Sequence, residues 1–239
     1  MEEIIQYDKQ LLLWLNGSDS LFLDSLVSTL TNAKTWIPLY LSLFYAVLKS
    51  NETVAKVLMA VAAAGLCVLF AGTIDDTIVK PLVARWRPAR DPEIGILVDV
   101  VDGYRGGKYG FFSAHAANTF SIAMFFSLLF RRRAFVVAMV AYSLINCWTR
   151  LYLGVHYPGD ITVGLLWGGM VGFGVYRLYR YALSRYVAKT QSEPSALGSQ
   201  PSTGQPSAQA APLDVPIFVF SATLLFALVK ALLDKSLWL

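Results

Sequence analysis

The feature that most constrains this chain is a succession of apolar runs, at about 34–49, 53–75, 115–130, 134–152, 160–183 and 215–234. Each approaches or exceeds the ~20 residues a helix needs to cross a bilayer. The chain is 56% hydrophobic and has a mean hydropathy of +0.52, which a soluble domain of 239 residues rarely reaches. The expected fold is all-α: a polytopic membrane protein with six transmembrane helices. Residues 1–33 alternate apolar and polar positions at helical spacing ("IIQYDKQLLLWLN", "SLFLDSLVSTL") and are expected to form amphipathic helices in the interface.

The organisation expected is 1–33 interfacial, 34–189 a five-span catalytic membrane domain, 190–213 a linker and 214–239 the sixth span. The linker is rich in Ser, Pro, Gln, Ala and Gly, a composition that buries no core and is expected to stay disordered. The start, "MEEIIQYDKQ", lacks the basic opening of a cleavable signal, so the spans themselves are expected to direct insertion. Cys67 and Cys147 lie singly inside apolar runs and are read as small core residues rather than a disulfide or metal framework.

Charge sets the orientation. Lys49 and Lys56 flank the first turn, Arg131–Arg133 fill the third, and Arg177, Arg180, Arg185 and Lys189 follow the fifth span. With alternating spans all three places share one side, which the positive-inside rule makes cytoplasmic. The formal charge of +4 is thus an anchoring pattern, and no nucleic-acid partner is expected. The loop 76–114 and the turn at about 153–159 then face outward, in a bacterium toward the periplasm. Both histidines of the chain, His115 and His156, fall on that side.

An ordered set of polar groups gathers there. In "KPLVARWRP", Lys80 and Arg87 are seven apart, two helical turns, and are expected on one helix face, with Arg85 pointing away toward lipid headgroups. Asp76 is expected to pair with Lys80 at helical spacing. Ser113 and His115 open the third span, where unpaired backbone N–H groups favour an anion. Arg150 closes the fourth span, and His156 and Asp160 lie four apart, close enough for the carboxylate to fix the imidazole tautomer. Fixed cations, a helix N-terminus and two histidines, one backed by a carboxylate, are what phosphoryl transfer requires. Arginine and lysine can hold the phosphate, so no metal or other cofactor is expected. A transporter or flippase would place its ionisable groups near the midplane, where this chain carries little beyond Asn118, Thr119, Asn146 and Thr162.

"KPLVARWRP", "FSAH" and "TRLYLGVHYPGD" resemble the three signature motifs of the type 2 phosphatidic acid phosphatase (PAP2) superfamily, K-x6-R-P, P-S-G-H and S-R-x5-H-x3-D. The chain has Phe112, Ala114 and Thr149 where that pattern has Pro, Gly and Ser. The resemblance implies a membrane lipid phosphatase. His156 would form a phosphohistidine, Asp160 would orient it and His115 would protonate the leaving group. Lys80, Arg87, Ser113 and Arg150 would bind the phosphoryl oxygens. Arg105 and Lys108, in the glycine-rich "DVVDGYRGGKYG", are candidates for the substrate headgroup. The expected partner is a lipid phosphate or diphosphate presented by the bilayer at the periplasmic face of an inner membrane. Undecaprenyl diphosphate ranks first and lipid A close behind. Transfer of the phosphoryl group to an alcohol instead of water is the alternative.

Overall fold

The computed structural model describes residues 2–51, 53–192 and 212–236, and these form helices and connecting loops with no β-strand among them. Eight helices follow in order: α1 (Glu2–Leu15), α2 (Leu21–Thr31), α3 (Ile37–Ser50), α4 (Val54–Val83), α5 (Ala114–Phe130), α6 (Arg133–Tyr152), α7 (Pro158–Ser192) and α8 (Asp214–Ser236). The all-α expectation therefore holds. Most of the expected linker, 193–211, lies outside the described residues, while 190–192 continue α7.

Four helices, Val54–Val83, Arg133–Tyr152, Pro158–Gln191 and Asp214–Asp234, are long and apolar enough to cross a membrane. The other two expected spans are helices of 14 and 17 residues, α3 and α5. Large apolar side chains such as Leu41, Leu58, Leu166, Phe173 and Phe226 point outward, as a lipid-facing surface requires. Inside, Trp36, Phe125, Tyr142 and Phe220 anchor one core, and the Trp36 indole N–H donates to Leu30 O at 2.8 Å. Cys67 and Cys147 are buried in apolar clusters. α8 packs against α2, α3 and α6.

Two features position the functional groups. The first is the seam between α5 and α7. Gly164, Gly168 and Gly172 recur every fourth residue on α7, one above another on a single face. A Cβ at these positions would lie 2.7, 2.4 and 2.5 Å from the carbonyl oxygens of Ser113, Ala117 and Ser121 on the α5 side. Small residues here let two backbones touch, the usual means of helix association in membranes. The seam brings the N-termini of α5 and α7 together, where Ser113 N–H donates to Asp160 O at 3.1 Å. Gly168→Leu should destabilise the fold by ~1–3 kcal/mol or more, because overpacking at a seam displaces backbone. Thermal unfolding in detergent checks this, and an unchanged midpoint would show that the seam yields freely.

The second feature lies in α4, whose last part winds as π-helix over Leu69–Thr73 and Asp75–Val79. A π turn joins residues five apart. It sets Asp75 and Lys80 together, with Lys80 N–H donating to Asp75 O. The helix stops at Val83, and Ala84 is left-handed (φ 50°, ψ 29°). The expectation that Lys80 and Arg87 share a helix face is corrected: beyond Ala84 the chain is extended, with Trp86 bridging Tyr109.

Candidate active site

His156 sits in the short connection between α6 and α7. α6 ends at Tyr152, and Gly154 takes φ +61°, which a residue with a side chain adopts only under strain. Gly154 N–H donates to Leu151 O at 3.0 Å and Val155 N–H to Arg150 O at 3.2 Å, closing the turn tightly. Pro158 then starts α7, where its missing N–H costs nothing. His156, four residues after the end of α6 and two before the start of α7, is 1% exposed, and Asp160 on the first turn of α7 is wholly buried.

The His156 Nδ1 to Asp160 Oδ2 distance is 3.6 Å, within ion-pair range but too long for the hydrogen bond expected from their spacing. Nδ1 has no hydrogen-bond partner. Asp160 is held instead by Tyr157 N–H, which donates to Oδ2 at 3.0 Å, and by Arg85, whose Nη1 donates to Oδ1 at 2.8 Å. Arg85 therefore does not point to headgroups. The left-handed turn at Ala84 redirects it inward, between Asp160 and Asp8 of α1. Its role could not be read from helical periodicity, because the helix ends before it.

Three cations, Arg87, Arg150 and Lys80, act on His156. Arg150 is 2% exposed; its Nη1 donates to Thr31 Oγ1 at 2.6 Å and its Nη2 to the Tyr104 hydroxyl at 3.3 Å, while its buried Nε has no partner. Arg87 Nε donates to Tyr109 O at 3.0 Å. Gly106 and Gly110 crowd the same side chain: a Cβ would fall 2.7 Å from Arg87 Nη1 at Gly106 and 3.1 Å from Arg87 Cγ at Gly110. Lys80 is clamped by Asp75 at 2.9 Å and Asp76 at 2.5 Å, so the expected Asp76 pair is present with a second, fully buried carboxylate beside it.

Ser113 caps α5 with its hydroxyl oxygen, accepting from Ala116 N–H at 3.4 Å, and is fully buried. His115 stands exposed on the first turn of α5, in electrostatic contact with His156, Arg150, Arg87 and Lys80. Arg105 Nη1 donates to Ala89 O at 2.7 Å and so ties its loop down, and Lys108 lies over the Trp86 and Tyr109 rings, 4.8 and 5.1 Å from their centroids. Neither bonds to the histidines. Tyr104 and Thr31, which do reach Arg150, carry no motif and were not expected.

The electrostatics suit an anion. Burial, and then the like charge of Arg150, pull the Arg87 guanidinium below its usual pKa. Burial followed by Arg87, Arg150 and Lys80 holds His156 well below the ordinary imidazole range, so the ring is neutral and carries a free lone pair. A neutral imidazole faced by a carboxylate and ringed by guanidinium groups can attack a phosphorus atom and bind the oxygens around it.

The chain matches the family profile described as PAP2 superfamily over residues 53–184. It is 40% identical over 195 residues to a lipid A 4'-phosphatase of Bacteroides thetaiotaomicron, which covers 81% of this chain and 84% of that protein. It is 36% identical to a lipid A 4'-phosphatase of Porphyromonas gingivalis, across 82% of this chain and 84% of the relative. A decaprenylphosphoryl-5-phosphoribose phosphatase of Mycobacterium tuberculosis is 35% identical over 47% of this chain and 56% of its own length. No solved structure gives a significant match.

Proposed function

This chain belongs to the PAP2 superfamily, and we propose that it removes a phosphate from the sugar headgroup of lipid A, at the 4' position, through a phosphohistidine at the periplasmic face of an inner membrane. The observation that carries this reading is the convergence of Arg87, Arg150 and His115 on a neutral, buried His156. The substrate follows the relatives named lipid A 4'-phosphatase, which match most of the chain. Lipid A therefore moves ahead of undecaprenyl diphosphate, the first choice from sequence.

In this reading His156 Nε2 attacks phosphorus, because Nδ1 faces Asp160. The bond to the sugar oxygen breaks and His115 gives that oxygen a proton. His115 then takes a proton from water, which attacks the phosphohistidine and releases inorganic phosphate. Arg87 and the unpaired Nε of Arg150 hold the phosphoryl oxygens, and one oxygen replaces the Tyr104 hydroxyl on Arg150. Asp160 stabilises the positive ring of the intermediate. In the same reading the chain crosses the membrane six times, with α3 and α5 as the two short spans and α1 and α2 at the interface, and the cluster lies level with the headgroups.

Phosphate release by purified protein from lipid A, undecaprenyl diphosphate, phosphatidylglycerol phosphate and phosphatidic acid tests the proposal. Release from lipid A at the 4' position supports it, and release from another lipid alone redirects the substrate. Activity should persist in EDTA, since fixed cations supply the charge a metal would; a loss restored only by added Mg²⁺ would contradict this.

A further inference from the structure

α1 approaches the candidate site through one residue that no motif contains. Asp8 Oδ2 accepts from Arg85 Nη2 at 2.6 Å, and its Oδ1 accepts from Gly159 N–H, on the first turn of α7, at 2.8 Å. Gly159 permits this approach, as a Cβ there would lie 2.8 Å from Asp8 Oδ2. The Arg85 guanidinium stacks 4.1 Å from the Tyr157 ring centroid, and the Tyr157 hydroxyl donates to Asp91 at 2.7 Å. Asp91 lies 3.5 Å from Lys9, the neighbour of Asp8 on α1. One arginine is thus fixed from three sides between two carboxylates, one of which faces His156.

We infer that Asp8 and Arg85 are positioning residues for the reaction proposed above, with α1 completing the charge balance behind His156. Half-buried Asp8 and Arg85 and buried Asp160 together carry a net charge of −1, set against the cations Arg87, Arg150 and Lys80. When His156 accepts a phosphoryl group its ring becomes cationic, and the net negative charge of this trio offsets that new charge. Without Asp8 the trio is neutral, and the cationic ring stands among Arg87, Arg150 and Lys80 with less negative charge beside it, which is costly. Without Arg85, two carboxylates lie close together and Asp160 takes up a proton more readily. Arg85 also occupies Oδ1 of Asp160, which leaves Oδ2 as the oxygen that faces His156. The groups facing Asp160 are Arg85 and Arg87 from the segment after α4, His156 and Tyr157 from the α6–α7 connection, and Asp8 of α1 behind Arg85.

The test is a set of pH–rate profiles for the full chain with Arg85→Met, Arg85→Lys and Asp8→Asn, on lipid A and on p-nitrophenyl phosphate. Arg85→Met should lower kcat by ~10²-fold with little change in KM, as misplacement of a group near the reacting centre does. Its acid limb should move to higher pH, and Arg85→Lys should restore much of the rate. Asp8→Asn should also lower kcat, yet move the acid limb to lower pH, because a negative neighbour of Asp160 has gone. Opposite movements are not expected of two merely structural residues. Wild-type limbs in both variants, or a rise in KM alone, would overturn the inference; the second result would make Arg85 a headgroup contact. If Arg85→Met does not fold, Asp8→Asn and Arg85→Lys decide the question by the same limb. The small ester reads the positioning role even where lipid A proves not to be the substrate, so the two proposals fail separately. A chain inactive on every phosphate ester tested would overturn both.

Discussion

His156→Ala should abolish phosphate release, by on the order of 10⁴-fold or more, while the protein still folds. Removing the nucleophile of a group that acts as a unit costs nearly the whole of its contribution. Folding should survive because His156 donates to no side chain and its Nδ1 has no partner in the resting structure. The intermediate gives a direct readout: an alkaline quench of wild-type protein during turnover should retain phosphate on the chain, and the variant should retain none. Full activity in the variant would remove His156 from the role of nucleophile. A pH profile follows from the same environment. Burial and three cations hold the imidazole below its ordinary value of 6.5, so the neutral form is already present there. The acid limb of kcat/KM, which reports the free enzyme, should therefore lie below pH 6.5 for the wild type.

His115→Ala is expected to cost ~10²–10⁴-fold, the usual contribution of a general acid or base, and the size should depend on the leaving group. A sugar hydroxyl leaves poorly unless it receives a proton. Nitrophenolate leaves without one. The loss should therefore be large on lipid A and small on p-nitrophenyl phosphate for the first step, with burst kinetics separating the two steps. Equal losses on both substrates would mean that His115 binds phosphate rather than moving a proton. Its exposure on the first turn of α5, against the burial of His156, fits a group that meets the leaving side of the phosphate.

Much of the fold was legible because a bilayer leaves a chain few options. An apolar run must be helical where no water can bond its backbone, so the all-α class follows from composition and run length. Local pattern also told that the Arg131–Arg133 turn and the histidines fall at opposite ends of their helices. Arg131 lies at the end of the bundle away from the histidines and bonds the Tyr176 hydroxyl at 2.9 Å. The motif residues were legible too, since Arg150, His156 and Asp160 come from one helix end, one turn and one helix start in continuous sequence.

What failed was any inference that assumed a regular helix past its real end. Placing Arg85 toward the headgroups and Arg87 beside Lys80 both assumed 3.6-residue periodicity. The structure has π turns and then a left-handed residue. Asp75 belonged with Lys80 only because a π turn brings fifth neighbours together. The role of the glycines in the stretch that carries Arg105 and Lys108 was not legible either: Gly106 and Gly110 make room for Arg87.

By itself the sequence determined the class of fold, where its polar residues fall between the apolar runs, and which residue types could meet there. Each of these depends on local pattern: hydrophobic run length, charge at run ends, and short fixed spacings. Tertiary structure alone decided which groups touch. The α5–α7 glycine seam, the Arg85 bridge from Asp8 to Asp160 and the Tyr104 and Thr31 contacts to Arg150 join residues up to 119 positions apart. Such contacts are set by how helices pack and where they break, and no short stretch of sequence records that.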